Sequence, residues 1–288
     1  VEWVDAVVQG ILLGGLYALF ATGLSLIFGV MRLVNIAHGD LIVLASFIAL
    51  AITEAFGLHP LVTLAIVIPL MFAIGYALQR GILNFTLGKD ILPPLLVTFG
   101  LSVIIQNALL EIFTADSQKL TGGAIETMSI RVFGAISVGV LPVLTFVAAV
   151  VVIAGLQLLF YRTMLGSAFR ATSDDPDTAR LMGIDNRHVF GLAMAVSLAV
   201  VALAGVLLGM RTNFDPSIGP GRLLYAFEAV IIGGLGSLWG TLAGGVILGV
   251  AQSIGARIDP GVQILAGHIA FLVILIVRPR GLFPRAVD

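Results

Sequence analysis

The sequence predicts an all-α, polytopic membrane protein of about eight transmembrane segments, with a glycine-broken or re-entrant element near 224–255. Three observations predict it. Apolar residues make up 59% of the 288 and glycine supplies 34 more, while charged residues are only 11%; soluble domains run at about 45–50% apolar with glycine included and about 25% charged. The apolar residues fall in long runs, and a helix rising ~1.5 Å per residue needs ~20 of them to cross ~30 Å of hydrocarbon. The connections between runs are too short to hold a soluble domain of ordinary size. The chain therefore reads as one transmembrane domain over 1–288.

The expected spans are 6–30, 39–55, 61–79, 92–113, 140–161, 189–209, 224–255 and 263–277. The first ten residues, VEWVDAVVQG, lack the basic region of a signal peptide, so the first run is expected to stay as a membrane helix. Between the first two spans, VNIAHGD places Asn35, His38 and Asp40. Polar groups in a membrane are costly and need partners. The stretch reads either as a turn at the cytoplasmic end with Asn35 or Asp40 as helix caps, or as a constriction on a path. A histidine with no second His or Cys nearby is a poor metal ligand, and no metal site is assigned.

In 92–113, Thr98, Ser102 and Gln106 recur every fourth residue with Asn107 beside them. Such a stripe is either interhelical hydrogen-bonding glue or the lining of a hydrophilic path. Amides can serve both donors and acceptors of a polar solute without a buried charge. The loops 114–139 and 211–222, the latter with Asp215-Pro216 and Gly219-Pro220-Gly221, carry turn chemistry. Both suit an outer docking surface.

The run 224–255 has Glu228 near its start, then Gly233, Gly234 and Gly236. Three glycines in four residues weaken a helix. Backbone freed there can bind polar ligands near the midplane. A carboxylate in an apolar run is a functional candidate, so Glu228 is read either as a substrate-selecting group on the path or as a partly exposed acid near Arg222 at the outer mouth. The pairs Gly10/Gly14, Gly205/Gly209 and Gly245/Gly249, and the series Gly236, Gly240, Gly244, have the spacing of close helix packing.

Orientation follows from Lys and Arg. With an external N-terminus, the cytoplasmic side collects Arg32, Arg80, Lys89, Arg162, Arg170, Arg180, Arg187, Arg278, Arg280 and Arg285; the outer side collects Lys119, Arg131, Arg211, Arg222 and Arg257. The C-terminus is then cytoplasmic, and so is the longest inner loop, 162–188.

Within that loop, GSAFRATSDDPDTARLMGIDNRHV, residues 166–189, describes a short capped helix. Asp175 suits the N-cap, Pro176 the first helical position and Gly183 the left-handed residue after the end. Asp174, Asp175 and Asp177 lie at the positive dipole end and Arg180 near the other. So short a helix is unstable alone and must pack on something.

Several classes are excluded. A net charge of −1 with two lysines gives no surface for nucleic acid. Cysteine is absent. No Ser/His/Asp order or paired intramembrane acids suggest an enzyme. No G-x-x-x-x-G-K-[ST] cradle is present, since Gly88-Lys89 is followed by Asp90, so this chain lacks its own P-loop.

The loop resembles the cytoplasmic coupling loop of branched-chain amino acid-type ABC importer permeases, whose pattern is matched by Gly166, Ala168, Arg170, Ala171, Ala179, Gly183 and Ile184. GLYALFATGLSLIFGVMRLVNIAHGDLIVL (15–44), IIQN (104–107) and AVIIGGLGSLWGTLAGGVILG (229–249) are similar to the same family. The resemblance implies a permease subunit of the bacterial-type cytoplasmic (inner) membrane, bathed by lipid. Its partners would be a second permease subunit, two cytoplasmic ATPase subunits that bind ATP and Mg, and an extracytoplasmic solute-binding protein. No cofactor is implied on this chain. Arg170, Asp175, Pro176, Asp177, Ala179, Arg180 and Gly183 would couple to the ATPase. Asn35, His38, Gln106, Asn107, Glu228, Gly233, Gly234 and Gly236 would line the path. The solute would be a branched-chain or related small amino acid; urea, short amides and small organic acids are the alternatives. A competing class is an ion-coupled carrier or channel, with Glu228, Asp40 and His38 as coupling groups.

Overall fold

The computed structural model describes residues 2–87, 90, 92–133 and 136–283; Lys89 and Arg285 of the charge tally, and the Gly88-Lys89 pair, lie outside them. Eight helical segments among the described residues are long and apolar enough to cross a membrane. The most buried is α1 (Glu2–Met31). Around it pack α6 (Val140–Arg162), α9 (Asn186–Arg211), α10 (Gly219–Gly233) and α11 (Leu238–Ile258).

The glycine spacing explains the closest of these contacts. α1 and α11 run antiparallel: Arg257 pairs with Glu2 at 2.8 Å at one end, and Gly29 meets Gly236 at the other. Between them, a Cβ on Gly10 would lie 2.6 Å from Val250 Cα, and one on Gly245 would lie 2.7 Å from the Gly14 carbonyl. Glycine pairs on both helices thus face each other. Without side chains in the seam the backbones touch, and dispersion over that length replaces the hydrophobic drive that lipid removes.

One device occurs twice, in opposite directions. After Met31 the chain takes a left-handed step at Arg32, φ 51°, and runs back beside α1. At the start of α2 (His38–Phe56) the His38 ring reaches the Phe20 carbonyl, 2.8 Å away. Phe20 is about 16 Å along the axis from Met31 at ~1.5 Å per residue. α2 therefore begins at the middle level of α1 and runs toward the Glu2 end. Likewise, after Arg211 the chain folds inward: Phe214 is fully buried on Phe47 and exchanges backbone hydrogen bonds of 2.8 and 2.9 Å with Gln118. α10 then starts at Gly219, against Gly39 and Asp40, and runs the other way. Two helix N-termini meet inside the bundle, so their positive ends share one buried region.

The expected run 224–255 is two helices, α10 and α11, broken at 234–237. Its depth differs from expectation. Gly236 abuts Gly29 near the end of α1, so the glycine break lies at a bundle end, not the midplane. Gly234 and Gly236 hold φ of 101° and 79°, values that L side chains rarely adopt. The carbonyls freed at the end of α10 are satisfied by the chain after the last helix: Leu282 N–H donates to Ile232 at 2.9 Å and Phe283 N–H to Gly233 at 3.0 Å. The deep non-helical backbone lies at 32–37 and 212–218 instead. The loop 211–222, expected on the surface, is thus partly drawn into the interior.

The connection 114–139 also holds more structure than expected: α5 (Ala124–Thr127) and a hairpin of β1 (Ser129–Phe133) with β2 (Ile136–Gly139). At the rim, α3 (Pro60–Gly81), α4 (Leu92–Phe113) and α12 (Gln263–Val277) turn large apolar side chains outward. Leu96 is 68% exposed, Ile104 66% and Ile276 80%, as suits faces that meet lipid tails or another apolar helix.

Candidate functional site

The first candidate is the segment after α6. α7 (Met164–Asp174) leads to α8 (Pro176–Leu181). Asp175 is its N-cap: the carboxylate accepts from the N–H of Asp177 at 3.0 Å and of Thr178 at 3.1 Å, and from the Thr178 hydroxyl. At the other end, Gly183 has φ 86°. Its N–H donates to Arg180 at 3.0 Å, and that of Ile184 to Ala179 at 3.1 Å, the pair of bonds that makes a Schellman stop. The expected start and stop residues are those the structure uses.

The helix, and α7 before it, are fixed from below. Ala179 is buried. The Ser173 hydroxyl donates to the Gly29 carbonyl of α1 at 2.6 Å, and the Asn186 amide to the Pro176 carbonyl at 2.6 Å. Asp185 caps α9 and lies 3.7 Å from Arg80 of α3. Leu181 and Met182, by contrast, are 86% and 79% exposed, and Asp177 and Arg180 are exposed beside them. Arg170 is not on this outer face. Its guanidinium donates to the Phe160 carbonyl and lies 5.1 Å from the Tyr161 ring centre, so it ties α7 to the end of α6.

The Thr178 hydroxyl, the Thr178 N–H and the Asp177 N–H hold the Asp175 carboxyl below its ordinary range. A lowered folded value means the cap is intact above the ordinary aspartate range and fails only as pH falls through the lowered value. Asp175→Ala is therefore expected to loosen α8 at neutral pH, seen as faster amide exchange over 177–182. Asp175→Asn should keep the protection and remove its acid limb.

The second candidate is where the two inner N-termini meet. Asp40, 1% exposed, accepts from the Ser102 hydroxyl at 2.5 Å and the Gln106 amide at 2.9 Å. The Thr98 hydroxyl accepts from Ile36 N–H at 3.3 Å. The polar stripe of α4 is thus spent on the α1–α2 connection and the first turn of α2. Asn107 stays exposed, bonded to Val103. Asn35 caps locally, accepting from Ala37 N–H at 3.1 Å. His38 is fully buried between α1 and α9, near Gly23 and the Ser197 hydroxyl.

A third polar cluster joins α1, α10, α11 and α12. Tyr17 donates to Gln252 at 2.5 Å, and its ring lies 4.9 Å from that of Tyr225. Tyr225 stacks on His268 at 6.5 Å, and His268 Nδ1 bonds Glu228 Oε1. Glu228 is 2% exposed, and its second oxygen and the Gln252 amide nitrogen have no partner among the described residues. Gly233, Gly234 and Gly236 lie apart, at the α10–α11 turn. Reading the sequence weighed Asp40 as a cap or coupling group and passed over Tyr17, Gln252 and His268. No spacing in the sequence connects these three residues to one another or to Glu228.

Comparison with known proteins agrees with this architecture. The family model described as "Branched-chain amino acid transport system / permease component" matches residues 6–278. The high-affinity branched-chain amino acid transport system permease protein BraD of Pseudomonas aeruginosa is 33% identical, with 99% of this chain and 96% of that protein aligned. The corresponding LivH of Escherichia coli K12 is 27% identical over 96% and 94%. Among solved structures, PsaBC from Streptococcus pneumoniae in complex with Fab shares the fold, with a TM-score of 0.51 at 16% identity, covering 97% of this chain and 96% of that one. With a matching model over nearly its whole length and a full-length relative one-third identical, this chain belongs to the family of permease components of branched-chain amino acid transport systems.

Proposed function

We propose that the chain forms one half of the translocation path of an ATP-driven importer for branched-chain or closely related amino acids. The observation that carries this reading is α8: a helix with a fixed start and stop, held to α9 by Asn186 and to α1 through Ser173 of the preceding α7, that with the next residue presents Leu181 and Met182 to solvent. A membrane chain gains nothing by exposing two large apolar side chains at a polar end unless a partner covers them. That partner is a cytoplasmic ATPase carrying ATP and Mg, one for each of two permease subunits. The charge tally supports an external N-terminus. A soluble binding protein then delivers solute at the end formed by 57–59, 114–133, 136–139 and Arg257. The second permease subunit faces α4 and α12, on whose sides the Gln106–Asn107 and Glu228–His268 groups lie.

In this scheme ATP binding draws the α8 helices together and shifts the membrane halves between outward and inward access, because ATP binds one arrangement more tightly. The test is reconstitution with the cognate binding protein and ATPase. Leucine uptake should require ATP and the binding protein. Uptake on an ion gradient with no ATPase present would sink the reading.

Asp40 holds the inner N-termini in register. In Asp40→Ala the Ser102 and Gln106 donors lose their acceptor, at about 1–3 kcal/mol for each buried group left unpaired. That variant should melt several degrees lower and transport poorly, whereas Asp40→Asn should retain most of the stability. Equal melting temperatures for the two, read by tryptophan fluorescence, would show that the carboxylate has no such role.

A further inference from the structure

Behind the α8 segment, α1, α6, α7 and the α10–α11 turn enclose a pocket of about 400 Å³. It is separate from the exposed face of α8 and from both buried polar clusters. Its lining includes Ser25, Gln157, Arg170 and Ser237, with Tyr161 and Trp239. Among the described residues, no Asp or Glu lines it.

Three features give the pocket one chemistry. The first is Arg170. Its guanidinium spends donors on the Phe160 carbonyl and, at 3.3 Å, the Ser167 hydroxyl; five N–H groups are available on such a side chain. The second is the start of α11, a 21-residue helix capped by Ser237, whose hydroxyl accepts from Gly240 N–H at 3.1 Å. Its positive end therefore faces the pocket. The third is Ser25, which is 1% exposed and whose hydroxyl has no hydrogen-bond partner. A buried hydroxyl without a partner is costly unless something fills the site. A cation, a helix N-terminus and an idle O–H donor all ask for an anion with several oxygens.

The surroundings select the source of that anion. Gly29 and Gly236 mark this as the level where α1 ends, so the pocket lies at the edge of the hydrocarbon. Trp239 and Tyr161 are 47% and 61% exposed, and such aromatic rings favour the headgroup level. Phe283, 55% exposed, also lines the wall, on which an acyl chain can lie. We propose that this pocket is a binding site for the phosphate of an anionic phospholipid headgroup, held by Arg170, the α11 N-terminus and Ser25. An occupied site joins α1, α6 and α11 to α7, and through α7 to the docking helix. Anionic lipid then stiffens the segment through which the importer is driven.

The experiment uses the intact permease–ATPase complex in nanodiscs. The chain has two tryptophans, so Trp3→Phe leaves Trp239 as its reporter, with partner tryptophan emission subtracted using a complex in which Trp3 and Trp239 are both Phe. In phosphatidylcholine discs a rising fraction of phosphatidylglycerol should give a saturable change in Trp239 emission. Roughly ten-fold more phosphatidylglycerol should be needed in Arg170→Gln, and several-fold more in Ser25→Ala, which leaves the α6–α7 tie intact. A response to inorganic phosphate in pure phosphatidylcholine discs, with none to phosphatidylglycerol, would overturn the lipid as ligand. No response to either, or one unchanged in both variants, would overturn the site.

Discussion

A Gly14→Leu variant is expected to lose the folded permease. A Cβ at position 14 lands on the backbone α-carbon of Val246 in α11. Overpacking costs about 1–3 kcal/mol where side chains can yield; here the obstacle is main chain, flanked by the Gly10–Val250 contact of 2.6 Å. The two helices have to part along their length and forfeit the packing that membrane helices depend on. We expect the monodisperse peak in size-exclusion chromatography to collapse, or the melting temperature to fall by about 5–10 °C at ~2–4 °C per kcal/mol for a chain of this size. The control is Gly155→Leu in α6, where an added Cβ meets nothing within 4 Å. Melting of Gly14→Leu within a degree of that control would remove the α1–α11 seam as the organising contact.

Replacing Leu181 and Met182 together with serine should leave the fold alone and abolish driven transport. Both side chains are largely in solvent, so the isolated chain loses little. Covering such a side chain in an interface is worth ~1.5–3 kcal/mol. The pair then supplies about 3 kcal/mol or more, on the order of a hundred-fold in ATPase affinity. Pull-down of the ATPase and ATP-driven uptake should both fail at an unchanged melting temperature. Uptake at the parental rate would end the docking role of α8.

The parts legible in sequence are those set by local rules. The α8 boundaries follow from Asp175-Pro176 at one end and Gly183 at the other, because capping needs only the neighbouring backbone. The seam of α1 with α11 follows from glycines spaced by four, although nothing in the spacing says which pair meets which. Less legible were groups whose meaning depends on distant partners. Thr98, Ser102 and Gln106 read as a stripe, but that it closes on Asp40 depends on where α2 begins. Arg170 read as a contact for a partner; folding α7 back on the end of α6 sends it into a pocket instead. Tyr17, Gln252 and His268 lie far apart in the chain and carry no spacing signal for the cluster they form with Glu228.

By itself, the sequence determined membrane residence, the number and rough limits of the spans, and the short helix between the fifth and sixth. Each follows from hydrophobic length, charge bias or capping chemistry acting over a few turns. Only the tertiary structure decided depth. Hydropathy registers that backbone leaves the helix, as at 32–37, 212–218 and 234–237, but it is blind to how far each break is drawn inward. That distance is set by contacts across the bundle: the His38 ring on the Phe20 carbonyl, Gly219 against Asp40 and Gly29 against Gly236. Two of the breaks consequently lie inside, with buried partners for their polar groups, and the glycine-rich one lies at the edge.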